Sequence, residues 1–176
     1  ARADLGAGVD GELMATYTDG YGGDVNTAKD NWLNPTNQTY NAGVYERLLS
    51  GTADSNALIE FDLSGIPAGS TCNSATLYLY QGSSAPAQNG LVINVYSVAA
   101  ANAAWIEGTK NNAAAAAGEP CWDALESDGS GGVTTAWAGS EGCNTSGTDY
   151  ESSLLGTLAI GNGSAAGTEY STTLTT

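Results

Sequence analysis

Histidine is absent from this sequence, and lysine and arginine together number four among 176 residues. Without imidazole, nucleophilic triads of the Ser-His-Asp or Cys-His kind have no general base. The four cations are Arg2, Lys29, Arg47 and Lys110, and against 19 Asp and Glu they leave a formal net charge of −15. Nucleic-acid binding draws on cationic groups that displace counterions from phosphates, so that partner class is excluded. An anionic membrane surface repels the chain for the same reason. Long apolar runs are also missing. No stretch approaches the roughly 20 residues that span a bilayer as a helix, which argues against membrane insertion. There is neither an initiator Met nor a signal peptide, so Ala1 is expected to be a processed or trimmed start.

Cysteine is sparse, at Cys72, Cys121 and Cys143. With no His and no Cys-x-x-Cys, metal binding through thiolates is a poor fit. Cys121 and Cys143 flank one Gly/Ser-rich segment and are expected to close it as a disulfide, which places the chain in an oxidising, extracellular compartment. Cys72 is left over and is expected on a strand as a small buried hydrophobe.

Apolar residues make up 41% of the chain and fall into patterned strands, so the acidity does not signal disorder. Two readings of the charge stay open. One is solubility in a salty exterior, where like charges are screened within roughly 10 Å. The other is a gathering of carboxylates around Ca²⁺, a hard cation that takes oxygen ligands.

Residues 1–10 read as an N-terminal arm and 11–176 as a single β-sandwich domain. A strand is expected near 13–18, followed by a long polar stretch to residue 43 without sustained period. Further strands are expected at 44–50, 56–63, 72–80, 91–98, 154–160 and 170–175. In 56–63, Ile59, Phe61 and Leu63 alternate with Glu60 and Asp62. In 72–80, Ala75, Leu77 and Leu79 share one face, and Thr76, Tyr78 and Tyr80 the other. Short strands at this spacing, separated by turn residues, imply an all-β antiparallel sandwich of jelly-roll type with long Gly/Ala/Ser-rich loops. The Ala-rich segments 99–104 and 113–117 have helix propensity without apolar period, enough for a short helical turn at most.

Catalysis by paired carboxylates is disfavoured, because the acidic residues fall in Gly-rich loops rather than at inward strand ends. Calcium has two candidate clusters. Asp19 and Asp24 are separated by Gly-Tyr-Gly-Gly, and Asp123, Glu126 and Asp128 form the second. The alternative is acidic turns held by their own side-chain hydrogen bonds. The aromatics Tyr21, Trp32, Trp122 and Trp137 lie in loops, where exposed rings stack on sugars. Their alternative is packing over the sandwich ends, the role expected of Trp105. Asn37-Gln-Thr, Asn144-Thr-Ser and Asn162-Gly-Ser match the N-glycosylation pattern, which is too common in Asn/Ser/Thr-rich chains to carry weight alone.

The run Ala57-Leu-Ile-Glu-Phe-Asp-Leu-Ser-Gly-Ile-Pro-Ala-Gly-Ser-Thr-Cys-Asn-Ser-Ala-Thr-Leu-Tyr-Leu-Tyr80 resembles the core of the disaggregatase-related (DNRLRE) β-sandwich family. Ile93-Asn-Val-Tyr96 and Trp105-Ile-Glu-Gly108 resemble that family's next pieces, in order. The resemblance covers about residues 48–108. It implies a jelly-roll module, often carbohydrate-binding in secreted enzymes and elsewhere part of surface or virion-type proteins. Cys72 stands where the family pattern has an aliphatic residue. The family continues past a strand like 170–175, so the resemblance also implies closing strands supplied from outside this sequence. Two functions are therefore expected, neither of them enzymatic: an extracellular module that binds carbohydrate or a cell-surface partner, with a structural Ca²⁺, or a structural subunit of an extracellular filament or virion shell completed by strands of neighbouring identical subunits.

Overall fold

A computed structural model of the chain describes residues 2–5, 15–18, 28–45, 55–81, 91–161 and 165–175. Among them the protein is all-β, with one short 3-10 turn at Ala100–Asn102. No helix among the described residues is long and apolar enough to cross a membrane.

The strands are β1 (Arg2–Leu5), β2 (Ala15–Thr18), β3 (Ala28–Leu33), β4 (Tyr40–Asn41), β5 (Asn56–Phe61), β6 (Ala75–Tyr80), β7 (Leu91–Val98), β8 (Ala113–Ala114), β9 (Glu126–Ser127), β10 (Val133–Thr135), β11 (Tyr150–Ile160) and β12 (Glu169–Leu174). The largest sheet has the order β12-β6-β1-β2. Its pairs are antiparallel, running from Glu169↔Tyr80 to Leu174↔Ala75 on one side of β6 and from Arg2↔Tyr78 to Leu5↔Ala75 on the other. β7 pairs with β11, β3 with β5, β4 with β8 and β9 with β10. The span read as an N-terminal arm thus contains a paired strand. Residues 2–5 carry no sustained alternation, and the backbone groups of β6 supply what the local pattern does not.

Close contacts group the chain into two compact units. Unit 1 comprises Ala1–Ala28, Phe61–Val95 and Leu154–Thr176, and unit 2 comprises Lys29–Glu60 and Tyr96–Ser153. In unit 1, Tyr170, Thr172 and Leu174 of β12 are half-buried and alternate with exposed Glu169, Ser171 and Thr173, as a one-faced strand requires. Thr172 lies over Gly156, where a Cβ would come within 2.7 Å of the Thr172 hydroxyl. The Thr175 amide donates to the Leu155 carbonyl at 2.8 Å. Cys72 is exposed in the coil before β6 rather than buried on a strand, because β6 begins only at Ala75.

Unit 2 holds a core of Leu33, Leu58, Trp105, Trp122, Leu125, Trp137 and Cys143, with Val98 packed against it. On β5 the inward residue is Leu58, while Leu63 is exposed, so the expected apolar face of Ile59, Phe61 and Leu63 is not the one that enters this core. Side chains alternate with period two, and the pairing with β3 selects the parity. Lys29 lies 4.7 Å from the centre of the Trp105 ring, donates to the Trp105 carbonyl at 2.8 Å and pairs with Glu60 at 3.0 Å. Residues 99–104 form the short turn expected there, and Ala113–Ala114 pairs with β4 rather than turning helical.

Most of unit 2 is loop, so its backbone polar groups need partners that a sheet would otherwise supply. Buried amides and carboxylates provide them. The Asn41 side chain donates to the carbonyls of Glu107 and Pro120 and accepts from the amides of Gly43 and Lys110. Buried Glu119 accepts from the amides of Thr109 and Ala116 and from the Thr109 hydroxyl, at 2.7 to 2.8 Å. The 3-10 turn presents Asn102, which donates to Asp149 and accepts from the Ala138 amide.

Candidate functional site

The site is a concavity of about 600 Å³ in unit 2, lined by Trp122, Asp123, Val133, Trp137, Ser140 and Glu141 among others. Its lining comes from the segment following Pro120, from β10 and from the 136–141 loop. Two of the four expected sugar-stacking aromatics, Trp122 and Trp137, are therefore brought together. They are only 8% and 4% exposed, and both belong to the core. They line the concavity but leave little ring face for stacking.

Their burial has specific causes. The Trp137 indole donates to the carbonyls of Cys121 and Trp122, each at 3.0 Å. Gly142 sits against Trp122 with φ of 76°, and a Cβ there would lie 2.5 Å from the ring. That position needs glycine on both counts, for backbone conformation and for space. The third candidate, Trp32, is buried in unit 2 and packs against Tyr45 with ring centres 5.8 Å apart, away from the residues that line the concavity. Tyr21 lies outside the described residues, as do Asp19 and Asp24. Trp105 is buried in the core, the role expected of it.

The 139–149 loop, which contributes Gly139, Ser140 and Glu141 to the concavity, is organised by Asp149. This carboxylate is fully buried and accepts from the amides of Gly139, Ser140 and Thr145 at 2.8 to 2.9 Å, and from Asn102 Nδ2 at 2.8 Å. Burial pushes the Asp149 carboxyl up, but the hydrogen bonds from Ser140, Thr145, Asn102 and Gly139 outweigh it and hold the group below the usual carboxylate range. Asp149 and Asn102 were not singled out from sequence, because an Asp in a Gly/Ser/Thr-rich loop looks the same whether it is solvated or buried. In the concavity the balance is opposite. Burial, and then the negative charge of Glu141, raise the Asp123 carboxyl.

The second calcium cluster does not gather. Asp128 accepts from the amides of Ser130 and Gly132, which lower its pKa, while Glu126 takes the Thr135 hydroxyl. Asp128 thus closes a turn, whereas the Glu126–Thr135 contact joins the paired strands β9 and β10. Among the described residues no three Asp, Glu, Cys or His side chains group as metal ligands do.

The expected Cys121–Cys143 disulfide is not formed, and all three cysteines are free thiols. The reason lies in packing. Cys121 belongs to a small cluster with Ala115 and Ala124, whereas Cys143 enters the tryptophan core and takes a hydrogen bond from Asn102. Burial, together with the charge of Asp149, pushes the Cys143 thiol up to about 12, and burial raises Cys121 as well. Both are protonated at neutral pH, which leaves them poor nucleophiles.

No protein-family model, no curated protein and no solved structure matches this chain.

Proposed function

We propose that the chain is a non-catalytic extracellular β module that works by assembly, with unit 1 completed by neighbouring identical subunits. One observation carries this reading. In unit 1, Leu63, Tyr80, Val92 and Leu154 lie on or beside strands and stay 43 to 53% exposed, while Leu77 and Leu158 are its only buried hydrophobic residues among those described. Among the described residues unit 2 instead buries Leu33, Leu58, Leu125 and all four tryptophans, although Val44, Ile106 and Val133 stay exposed there. Fully burying a large apolar side chain contributes roughly 1.5–3 kcal/mol, so half-covered strand residues repeated along an assembly add up. The motif resemblance to sandwich modules supports the same reading, as does strand donation as a way to finish a sheet. With a net charge of −15, copies repel at low ionic strength. Screening within about 8 Å at physiological salt removes most of that barrier.

Sedimentation velocity tests it. The wild-type chain is expected to form species larger than a monomer that grow with salt, and V92K or L154K to shift the distribution toward monomer without loss of fold. A folded monomer at every salt concentration would overturn the reading.

Polysaccharide binding is the second reading, supported by a concavity whose lining offers Ser140, Asp123 and Glu141 to sugar hydroxyls, with only small parts of the Trp122 and Trp137 rings reachable. Affinity-gel electrophoresis on neutral polysaccharides, with and without Ca²⁺, is expected to retard the wild type. Calcium dependence would point to Asp19 and Asp24. Free migration on every gel removes this reading.

A further inference from the structure

Two of the three glycosylation sequences lie among the described residues, and the fold treats them differently. Asn162 lies outside the described residues. Asn37 is half-buried in the connection between β3 and β4. Its amide donates to the Asn34 side chain at 3.3 Å, the Gln38 carbonyl accepts from the Asp123 amide at 3.1 Å and the Thr39 carbonyl from the Ala115 amide at 3.0 Å. Every residue of that sequence is tied into unit 2. These backbone bonds fix the segment, and because Asn37 is half-buried its side chain has less room for a bulky polar substituent than an exposed Asn has.

Asn144-Thr145-Ser146 is arranged the other way. Asn144 and Ser146 are both exposed, with half-buried Thr145 between them. The Thr145 amide donates to Asp149 and its hydroxyl to Ser140, which pins the middle residue inward. Cys143, immediately before, is buried and adopts the left-handed φ of 56°, so the chain reverses just as it reaches Asn144. The Asn144 carbonyl oxygen accepts from Asn56 Nδ2 at 3.4 Å. Among the described residues its amide nitrogen has no partner. N-glycosylation uses the amide nitrogen and leaves that carbonyl oxygen free to accept, so the Asn56 contact survives the modification.

From this geometry we infer that Asn144 is an N-glycan acceptor, an inference that rests on the extracellular reading above but not on assembly. The donor is a lipid-pyrophosphate-linked oligosaccharide, presented by a membrane oligosaccharyltransferase. The Asn144 amide nitrogen forms a bond to the anomeric carbon and gives up one proton. The bond from that carbon to the pyrophosphate oxygen breaks, and the lipid pyrophosphate leaves with the electron pair. Ser146 supplies the hydroxyl that the transferase reads. Transfer to the nascent chain competes with folding: half-buried Asn37 is withdrawn as its segment folds, whereas Asn144 stays exposed and the folded state accommodates the glycan there.

The full chain expressed for secretion in a glycosylating eukaryotic host tests this. Cleavage after Glu141 and Glu151 isolates residues 142–151, which contain Asn144 and neither of the other sequences. Enzymatic deglycosylation in ¹⁸O-water is expected to label Asn144 as Asp in that peptide and to leave the Asn37 peptide unlabelled. The label is lost in N144Q and S146A and retained in S146T. Retained chain is scored together with secreted chain, since transfer precedes export. An unmodified 142–151 peptide from wild type overturns the inference, and so does equal labelling at Asn37. Loss of assembly alters neither peptide, so the two readings fail separately.

Discussion

Replacing Asp149 by Ala is expected to destabilise unit 2 by on the order of 4 kcal/mol, because one deletion strands several buried donors at about 1–3 kcal/mol each. The amides of Gly139, Ser140 and Thr145 and the Asn102 side chain all converge on this carboxylate. Asn102 also holds the Ala138 amide, so the damage extends to the segment leading into Trp137. D149N is expected to lose about half as much, because one acceptor oxygen survives while an NH₂ comes to face donors. The folded pKa of Asp149 is depressed, so its contribution is fully present above the unfolded value of about 3.9 and is lost as pH falls through the folded value. Wild type should therefore lose stability on acidification below about pH 4. D149A should start less stable and lose less over the same interval. Urea titrations followed by tryptophan fluorescence at neutral and acid pH measure both effects. A D149A midpoint within error of wild type would remove Asp149 as the loop's anchor.

Trp137 gives the second large effect. W137A is expected to cost about 3–5 kcal/mol, the range for deleting a buried aromatic. W137F keeps a ring but removes the donor to Cys121 and Trp122, and should cost about 1–2 kcal/mol. The Trp122 carbonyl also accepts from Gly142, and the Cys121 carbonyl from Ala124, so W137F leaves them under-satisfied rather than bare. These variants separate two roles for the same residue. A core role predicts a lowered thermal midpoint that falls further for Ala than for Phe. Were W137A as stable as wild type but no longer retarded on a polysaccharide gel, the ring would be a sugar platform instead.

Much of the strand content was legible because alternation is local. β6, β7 and β12 follow side-chain patterns that are visible within six to eight residues. Parity on β5 was not legible, since Leu58 and Ile59 are neighbours of similar hydrophobicity and only pairing with β3 decides which turns inward. β1 escaped because a four-residue strand gains its stability from the partner whose edge it covers. The site divides in the same way. The tryptophans and carboxylates were named from residue type, but their exposure depends on chain segments far apart in sequence.

The cysteines mark the boundary most clearly. Two thiols flanking a flexible loop suggest a bridge, yet bridging needs Cα atoms within about 7 Å and side chains aimed at each other, which spacing along the chain does not fix. Composition and local side-chain order determined the charge, the lack of an imidazole base and the all-β character, because these are sums over residues or patterns of period two. Tertiary structure alone decided which tryptophans enter the core, where Asp149 collects its donors and which Asn-x-Ser/Thr faces solvent. Those outcomes are set by contacts between distant segments, and such contacts exist only once the chain has folded.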